Sequence, residues 1–308
     1  MIKLFHIPEH HVYTGTYNNL LHDMIVTDFE VAFAAYVSAK YACSFSSATM
    51  AIMLALQGLK TVVSVPSIIP HVVLNAILQS GNHISFTDNI EWVGGSYTLY
   101  QNEYYKIIDS AHKVNRNQFK DEACPNDLMV FSFYPTKPVG GCDGGMIVSN
   151  DYDKILVLRI LSMNGTNSGT SGLVRDIQCV GWKCYMNSIQ AAIALKSLCT
   201  LEARKIRLSE IRTRYNEAFN IDNSSDHLYR ISVKNNLKFI AVMAEYGITC
   251  GLHYPAYHAH PVYAQRFYDL PASEWAAQTT VSIPFHVMLI ESDIMHIIEN
   301  VRQHADDN

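Results

Sequence analysis

Charge of either sign is scarce in this chain: 17% of its 308 residues are Asp, Glu, Lys or Arg, and the formal net charge is −5. Without a basic surplus there is no electrostatic footprint for nucleic acid, so that partner class is excluded as the main business of the chain. A short basic cluster, Arg204, Lys205 and Arg207, reads as the solvated face of a helix. Cysteine pairing motifs are missing as well. The seven cysteines, at 43, 124, 142, 179, 184, 199 and 250, are odd in number and form no CxxC. That speaks against a zinc knuckle or a disulfide framework and fits a reducing compartment. No apolar run reaches the length of a membrane span, and the opening MIKLFHIPEHH lacks the basic-then-apolar order of a secretory signal. The expected location is the cytoplasm, with no membrane partner. Internal repeats and low-complexity segments are also wanting.

What is present is a folded-protein composition, 49% hydrophobic, on a chain long enough for one large core and a smaller lobe. Phe29, Ala32, Phe33 and Tyr36 fall at helical spacing, and a second helix is expected over 49–59 behind the Ser46-Ser47 capping signal. Then the pattern alternates. Strand-like 61–65 is followed by helix-like 71–80 and strand-like 84–88, with further strands expected at 106–109, 128–133 and 146–149. Short apolar strands between helices predict an α/β domain with a mostly parallel central sheet covered on both faces. After a Gly/Ser/Thr/Asn-rich loop at 164–172 the character changes. A long helix, whole or broken, is expected over 187–220, then a strand at 227–233, a helix at 235–246, a strand near 280–283 and a helix at 290–304. The expected division is a large domain, 1–199, and a smaller α+β domain, 200–308.

The densest chemistry lies in FSFYPTKPVGGCDGG, residues 131–145. Lys137 follows a buried strand and precedes a glycine-rich loop. In sheets of this kind ligands sit at the carboxyl ends of strands, and a desolvated lysine there loses basicity and becomes a nucleophilic amine. Asp109 ends the strand KIID, where a carboxylate can pair with a pyridinium nitrogen. Ser46-Ser47-Ala48-Thr49 stands at a helix start, whose unpaired N–H groups and dipole favour a phosphate. Thr49 and Ser132 add hydroxyls. Amine, carboxylate and phosphate cradle are the three needs of pyridoxal phosphate (PLP).

With those residues the sequence resembles the DegT/StrS-type nucleotide-sugar aminotransferases, a branch of the fold-type-I PLP enzymes. The likeness runs nearly the full length, from DFEVAFAAYVSAKYACSFSSAT to VSIPFHVMLIESDIMHIIENV, with SFYPTK, SSAT, DSAH, VPSIIPHVVLNAI and GLHYP in the family's order. The resemblance implies a three-layer large domain and a smaller C-terminal one, and PLP held covalently by Lys137, which then shuttles a proton. It places Asp109 at the pyridine nitrogen, His112 near the ring hydroxyl, and Ala48, Thr49 and Ser132 at the phosphate. It implies transfer of an amino group from an amino acid, glutamate, to a nucleotide-linked keto-sugar, in a homodimer with shared active sites.

Four features depart from the family pattern. Pro70 stands where an aromatic usually covers the ring, leaving His71 as the candidate to stack instead. Lys183 replaces an asparagine that reaches the neighbouring subunit's phosphate, and Tyr185 replaces a basic residue nearby. Pro138 follows the lysine in place of asparagine, and the segment before residue 24 looks abbreviated. His253, His258 and His260 invite a metal, but no acidic or cysteine partner recurs at ligand spacing, so no metal is expected. Trp182, Tyr254 and Tyr257 are open to either a sugar pocket or packing, and Asp143 reads as a turn former. Two rival readings stay on the table: another PLP reaction on a sugar or nucleoside, such as elimination, and a non-catalytic PLP-binding relative.

Overall fold

The structure, a computed structural model, describes residues 1–7, 20–167, 176–263 and 266–305. Most of the segment before residue 24, and residues 168–172 of the polar loop, lie outside the described residues. The first helix, α1 (Met24–Val37), starts where Asp23 accepts the Met24 N–H at 2.8 Å and stops at Ser38 in the left-handed region. Its buried stripe, Val26, Phe29, Phe33 and Val37, follows the helical period. The stripe meets the strand that leads to Lys137: Phe33 packs edge-on against Phe131 and Phe133 with ring centroids 4.8 and 5.2 Å apart, and Phe29 lies 4.9 Å from Phe133. Each such pair adds roughly 0.5–1.5 kcal/mol beyond area burial, so the strand end is firmly seated.

The central sheet takes the order β1 (Tyr41–Phe45), β7 (Gly145–Ser149), β6 (Leu128–Ser132), β5 (Lys106–Asp109), β4 (Tyr97–Gln101). Between β1 and β7 run α2 (Ala48–Leu56), β2 (Val62–Pro66), α3 (His71–Gln79), β3 (His83–Thr87) and α4 (Gln118–Glu122). The α/β expectation holds, but the sheet is mixed rather than mostly parallel. Only β5 and β6 run parallel in it; β1·β7, β6·β7 and β4·β5 are antiparallel. The reason is connection length. The link from β4 to β5 spans residues 102–105, and β6 reaches β7 through the glycine loop without a crossover helix, so each pair folds back on itself. Strands β2 and β3 form a separate parallel pair joined by α3.

The remainder comprises α5 (Tyr152–Ser162), α6 (Ser188–Cys199), α7 (Leu201–Phe219), β8 (Tyr229–Ser232), α8 (Asn236–Glu245), α9 (Pro271–Thr279), β9 (Thr280–Ile283) and α10 (Glu291–His304). The expected break in the long helix falls at Thr200, between α6 and α7. Antiparallel β8 and β9 build their own core with Ile211, Tyr215, Phe239 and Ile297. Among the described residues no helix is long and apolar enough to cross a membrane.

One charged pair ties α1 into the large core, its carboxylate buried and its guanidinium partly so. Glu30 of α1, 5% exposed, receives the Arg159 guanidinium at 2.7 and 3.2 Å and also accepts both the N–H and the hydroxyl of Ser44. Removing one partner strands the other charge in a low-dielectric site. Glu30→Ala is therefore expected to destabilise the fold by about 3–5 kcal/mol, read as a lowered denaturation midpoint with an unchanged slope.

Candidate active site

Three strand ends share one row. Gly145 at the start of β7 pairs with Phe45 at the end of β1 on one side and with Ser132 at the end of β6 on the other. A Cβ at Gly145 would sit 2.5 Å from the nitrogen and Cα of Ala48. Only glycine lets the first turn of α2 press onto the strand ends at this point. At that turn Ser47 accepts the N–H of Met50 through its hydroxyl (3.3 Å) and that of Ala51 through its carbonyl (3.2 Å). The N–H groups of Ala48 and Thr49 have no partner among the described residues. Two free donors, a helix dipole and the hydroxyls of Thr49 and Ser132 thus stand together, a ready anion cradle.

Lys137 comes off the same row. The loop after β6 is tied by Phe133 N–H to Gly144 O (2.9 Å), Gly141 N–H to Phe133 O (2.9 Å) and Lys137 N–H to Tyr134 O (2.9 Å). Gly140 is required there, since a Cβ would lie 2.5 Å from the Pro135 carbonyl. The Lys137 side chain reaches inward until Nζ is 3.4 Å from Nε2 of His227. Burial lowers its pKa to about 8, and the nearby Asp109 charge partly offsets that.

Asp109 ends β5, opposite Val130 of β6, and is 3% exposed. Its Oδ1 accepts the Ala111 N–H at 2.9 Å and its Oδ2 the Tyr97 hydroxyl at 2.8 Å. Burial pushes its pKa up, against the pull of those two donors and of Lys137. His112, three residues on, is almost wholly buried and held well below the usual imidazole range, by burial first and by the Lys137 charge second. Its Nδ1 accepts the Gly94 N–H at 3.2 Å, so the ring proton sits on Nε2 and is donated to Tyr254 Oη at 2.9 Å. A neutral imidazole with a fixed tautomer results.

The structure thus brings Lys137, Asp109 and His112 into one cluster, with the Ala48–Thr49 turn and Ser132 on the adjoining strand row. His71 and Lys183 lie apart from it. His71 is exposed at the start of α3, its ring 6.3 Å from Tyr257, and no described contact links it to Asp109, His112 or Lys137. Lys183 is exposed, although its neighbour Cys184 accepts the Ser46 N–H at 2.6 Å and Tyr185 bridges to Phe45. His258 is engaged by Ser67 at 2.7 Å and Glu274 at 3.3 Å, and His253 by Ser282 at 2.9 Å, which accounts for both as packing residues. Sequence reasoning missed His227, Tyr97 and Trp92. The last packs its ring 5.1 Å from His112 and 4.8 Å from Tyr97.

Residues 17–91 and 104–302 match the family described as the DegT/DnrJ/EryC1/StrS aminotransferase family. The chain belongs to that family. A DegT/DnrJ/EryC1/StrS member is a PLP-dependent aminotransferase, and the expectation of enzyme class and cofactor is met. Among similar proteins, the spore coat polysaccharide biosynthesis protein SpsC of Bacillus subtilis (strain 168) is 26% identical over 345 aligned residues, covering 90% of this chain and 88% of SpsC. The uncharacterized protein MJ1066 of Methanocaldococcus jannaschii is 27% identical over 237 residues, covering 67% of this chain and 61% of its own length. The sugar aminotransferase CalS13 of Micromonospora echinospora superposes with a TM-score of 0.80 at 18% identity, over 99% of this chain and 100% of CalS13. Its fold is the same, fold type I of the PLP enzymes.

The residues present fit the cofactor of this DegT/DnrJ/EryC1/StrS member. An inward-reaching, partly buried amine of weakened basicity, a buried carboxylate whose charge acts on it and a helix start with two unpaired N–H groups meet its aldehyde, ring nitrogen and phosphate in kind.

Proposed function

We propose that this enzyme moves an amino group from an amino acid, glutamate, to a nucleotide-linked keto-sugar, with Lys137, Asp109 and His112 as its catalytic residues. The observation that carries the reading is the electrostatic pairing of the Lys137 amine, on the loop after β6, with Asp109 at the end of its parallel neighbour β5, one row from the free N–H groups of α2. When bound, PLP supplies an electron-poor ring that takes up the electron pair left as a proton departs the amine-bearing carbon. Lys137 anchors the cofactor and afterwards carries that proton on Nζ, a task its lowered basicity suits at neutral pH. Asp109 keeps the ring nitrogen protonated through its negative charge. His112, with its two ring nitrogens engaged by Gly94 and Tyr254, would flank the ring as a fixed neutral imidazole, and Ala48, Thr49 and Ser132 would hold the phosphate.

The sugar half of the reading draws on the names of SpsC and CalS13 and on a cleft of ≈ 410 Å³ beside the cluster. His112 lines one wall, and Glu91, Asn115, Asn223, Ser225 and Arg230 are among the other lining residues, a largely polar set suited to a hydroxyl-rich ligand, while Lys137 opens on a second cleft beside His227. Lys183, exposed in the single chain, suits a role at a phosphate across a subunit boundary, so we take the working unit as a homodimer. The two domains divide at the α6–α7 break, and the seven unpaired cysteines of the sequence suit the cytoplasm.

The test has two halves. Glutamate added to the holoenzyme should bleach the absorbance of lysine-bound PLP and release 2-oxoglutarate stoichiometrically. A nucleotide keto-sugar added next should restore the absorbance and yield the amino sugar. Ammonia release with no amine in the product would instead establish elimination, and no half-reaction with glutamate or other common donors would leave a PLP-binding protein without transaminase activity.

A further inference from the structure

The stretch from 92 to 103 lies between the two blocks that match the family, and it contains β4. It is also the stretch that walls the candidate site from behind. Trp92 is buried, donates its indole N–H to Ile68 O at 3.0 Å and packs on both His112 and Tyr97. Tyr97 pairs across the sheet with Asp109 in the β4·β5 register, and its ring is 8% exposed. From that place its hydroxyl meets Asp109 Oδ2 at 2.8 Å.

We propose that Tyr97 is a positioning residue for the cofactor carboxylate: its hydroxyl fixes which way the Asp109 oxygens face and keeps them charged. The inference rests on the reading of Asp109 as the partner of the PLP ring nitrogen. Four groups face the Asp109 carboxylate: the Ala111 N–H on Oδ1, the Tyr97 hydroxyl on Oδ2, the Lys137 amine and, at longer range, the Tyr254 phenol. The first two are the only hydrogen-bond donors to its oxygens among the described residues. Lys137 is not a fixed member of the set, because its nitrogen would be committed to the cofactor when PLP is bound. Tyr97 is then the fixed side-chain donor that remains. It stays protonated throughout, since burial and the Asp109 charge hold its phenol well above the usual range. A hydrogen bond to an ionised group favours that charged form, and here it also locks the torsion of the side chain.

The experiment is equilibrium dialysis of the holoenzyme against buffers of falling pH, with retained PLP read by absorbance, for the wild type, Tyr97→Phe, Asp109→Asn and Tyr100→Phe. Phenylalanine keeps the ring and its packing and removes only the hydroxyl. Loss of that donor makes the carboxylate easier to protonate, so retention of PLP should fail at higher pH, with the acid limb moved upward by about one pH unit. Tyr100→Phe removes a hydroxyl from the same strand, opposite Ile107 and away from Asp109, and should leave the limb in place. A Tyr97→Phe limb that does not move, whether PLP retention is unchanged or is lowered equally at every pH, overturns the inference and makes Tyr97 a packing residue. Asp109→Asn separates this from the parent reading: if the wild-type limb persists in that variant, the limb never belonged to Asp109 and the assignment of the carboxylate fails first.

Discussion

Lys137→Ala is expected to lower turnover by about 10⁴-fold and to abolish the near-visible absorbance of lysine-bound PLP, while the protein stays folded. Two losses combine. The covalent anchor goes, and with it the amine that carries the proton between the two carbons; among the described residues no other lysine acts on Asp109 or His112 and could take over. Lys137→Arg is a sharper version, because guanidinium keeps the positive charge near Asp109 but neither forms the linkage nor gives up a proton. The same lysine sets a pH dependence. With a pKa of about 8 in place of 10.5, about a tenth of the amine is neutral at pH 7 and about half at pH 8. Where proton removal by this amine limits a single turnover, the rate should rise roughly tenfold per unit below pH 8 and level off above it. A stopped-flow series across pH 6–9 would read that profile, and a flat one would remove Lys137 from the role.

Asp109→Asn should cost turnover about 10²- to 10³-fold, the range seen when one fixed electrostatic partner of a reacting group is removed. The substitution is nearly isosteric, so packing against β6 and the Ala111 N–H survives. What disappears is the negative charge that holds a proton on the ring nitrogen and lets the ring draw electrons. Stability should move the other way or not at all. Burial raises the Asp109 pKa, which means the folded state disfavours the charge; an amide in the same place relieves that cost. The sign follows from linkage: an acid whose folded pKa lies above its unfolded value weakens the fold once pH exceeds the unfolded pKa, and a neutral side chain removes that weakness. Thermal melts of the variant at pH 7 should therefore show a midpoint equal to or above the wild type. A large drop would mean that Asp109 is a structural residue, and lost turnover would then say nothing about chemistry.

Much of the site was legible because its parts are local. Lys137, Ser132 and the glycine loop sit within fourteen residues, and Asp109 and His112 within four, so one strand end and one turn carry them. The Ser46–Thr49 turn was readable from helix-start chemistry alone, and the structure shows Ser47 capping that helix. The strands at 106–109 and 128–132 and the helices α7, α8 and α10 fall where periodicity placed them, whereas α9 was not foreseen. Strand direction was not legible. Alternation tells that a strand exists, whereas its partner is set by connections such as the 102–105 turn, and three of the four pairings in the central sheet proved antiparallel. β1 was missed because YACSF is a short apolar run that fits helix or strand equally. Tyr97 and Trp92 were missed for a different reason. Their stretch is the one without a family counterpart, and only the β4·β5 register brings a tyrosine hydroxyl to Asp109. His227 opens a readable strand, yet nothing in HLYRISV says that its ring will meet the amine of residue 137.

These parts converge on a single nitrogen, and one measurement reaches it directly. The holoenzyme is treated with borohydride to make the cofactor linkage permanent, digested, and sequenced by mass spectrometry. The account requires the pyridoxyl mass on the peptide containing Lys137 and on no other. The same mass on Lys183 or any other lysine, with Lys137 unmodified in protein that has bound PLP, would contradict it.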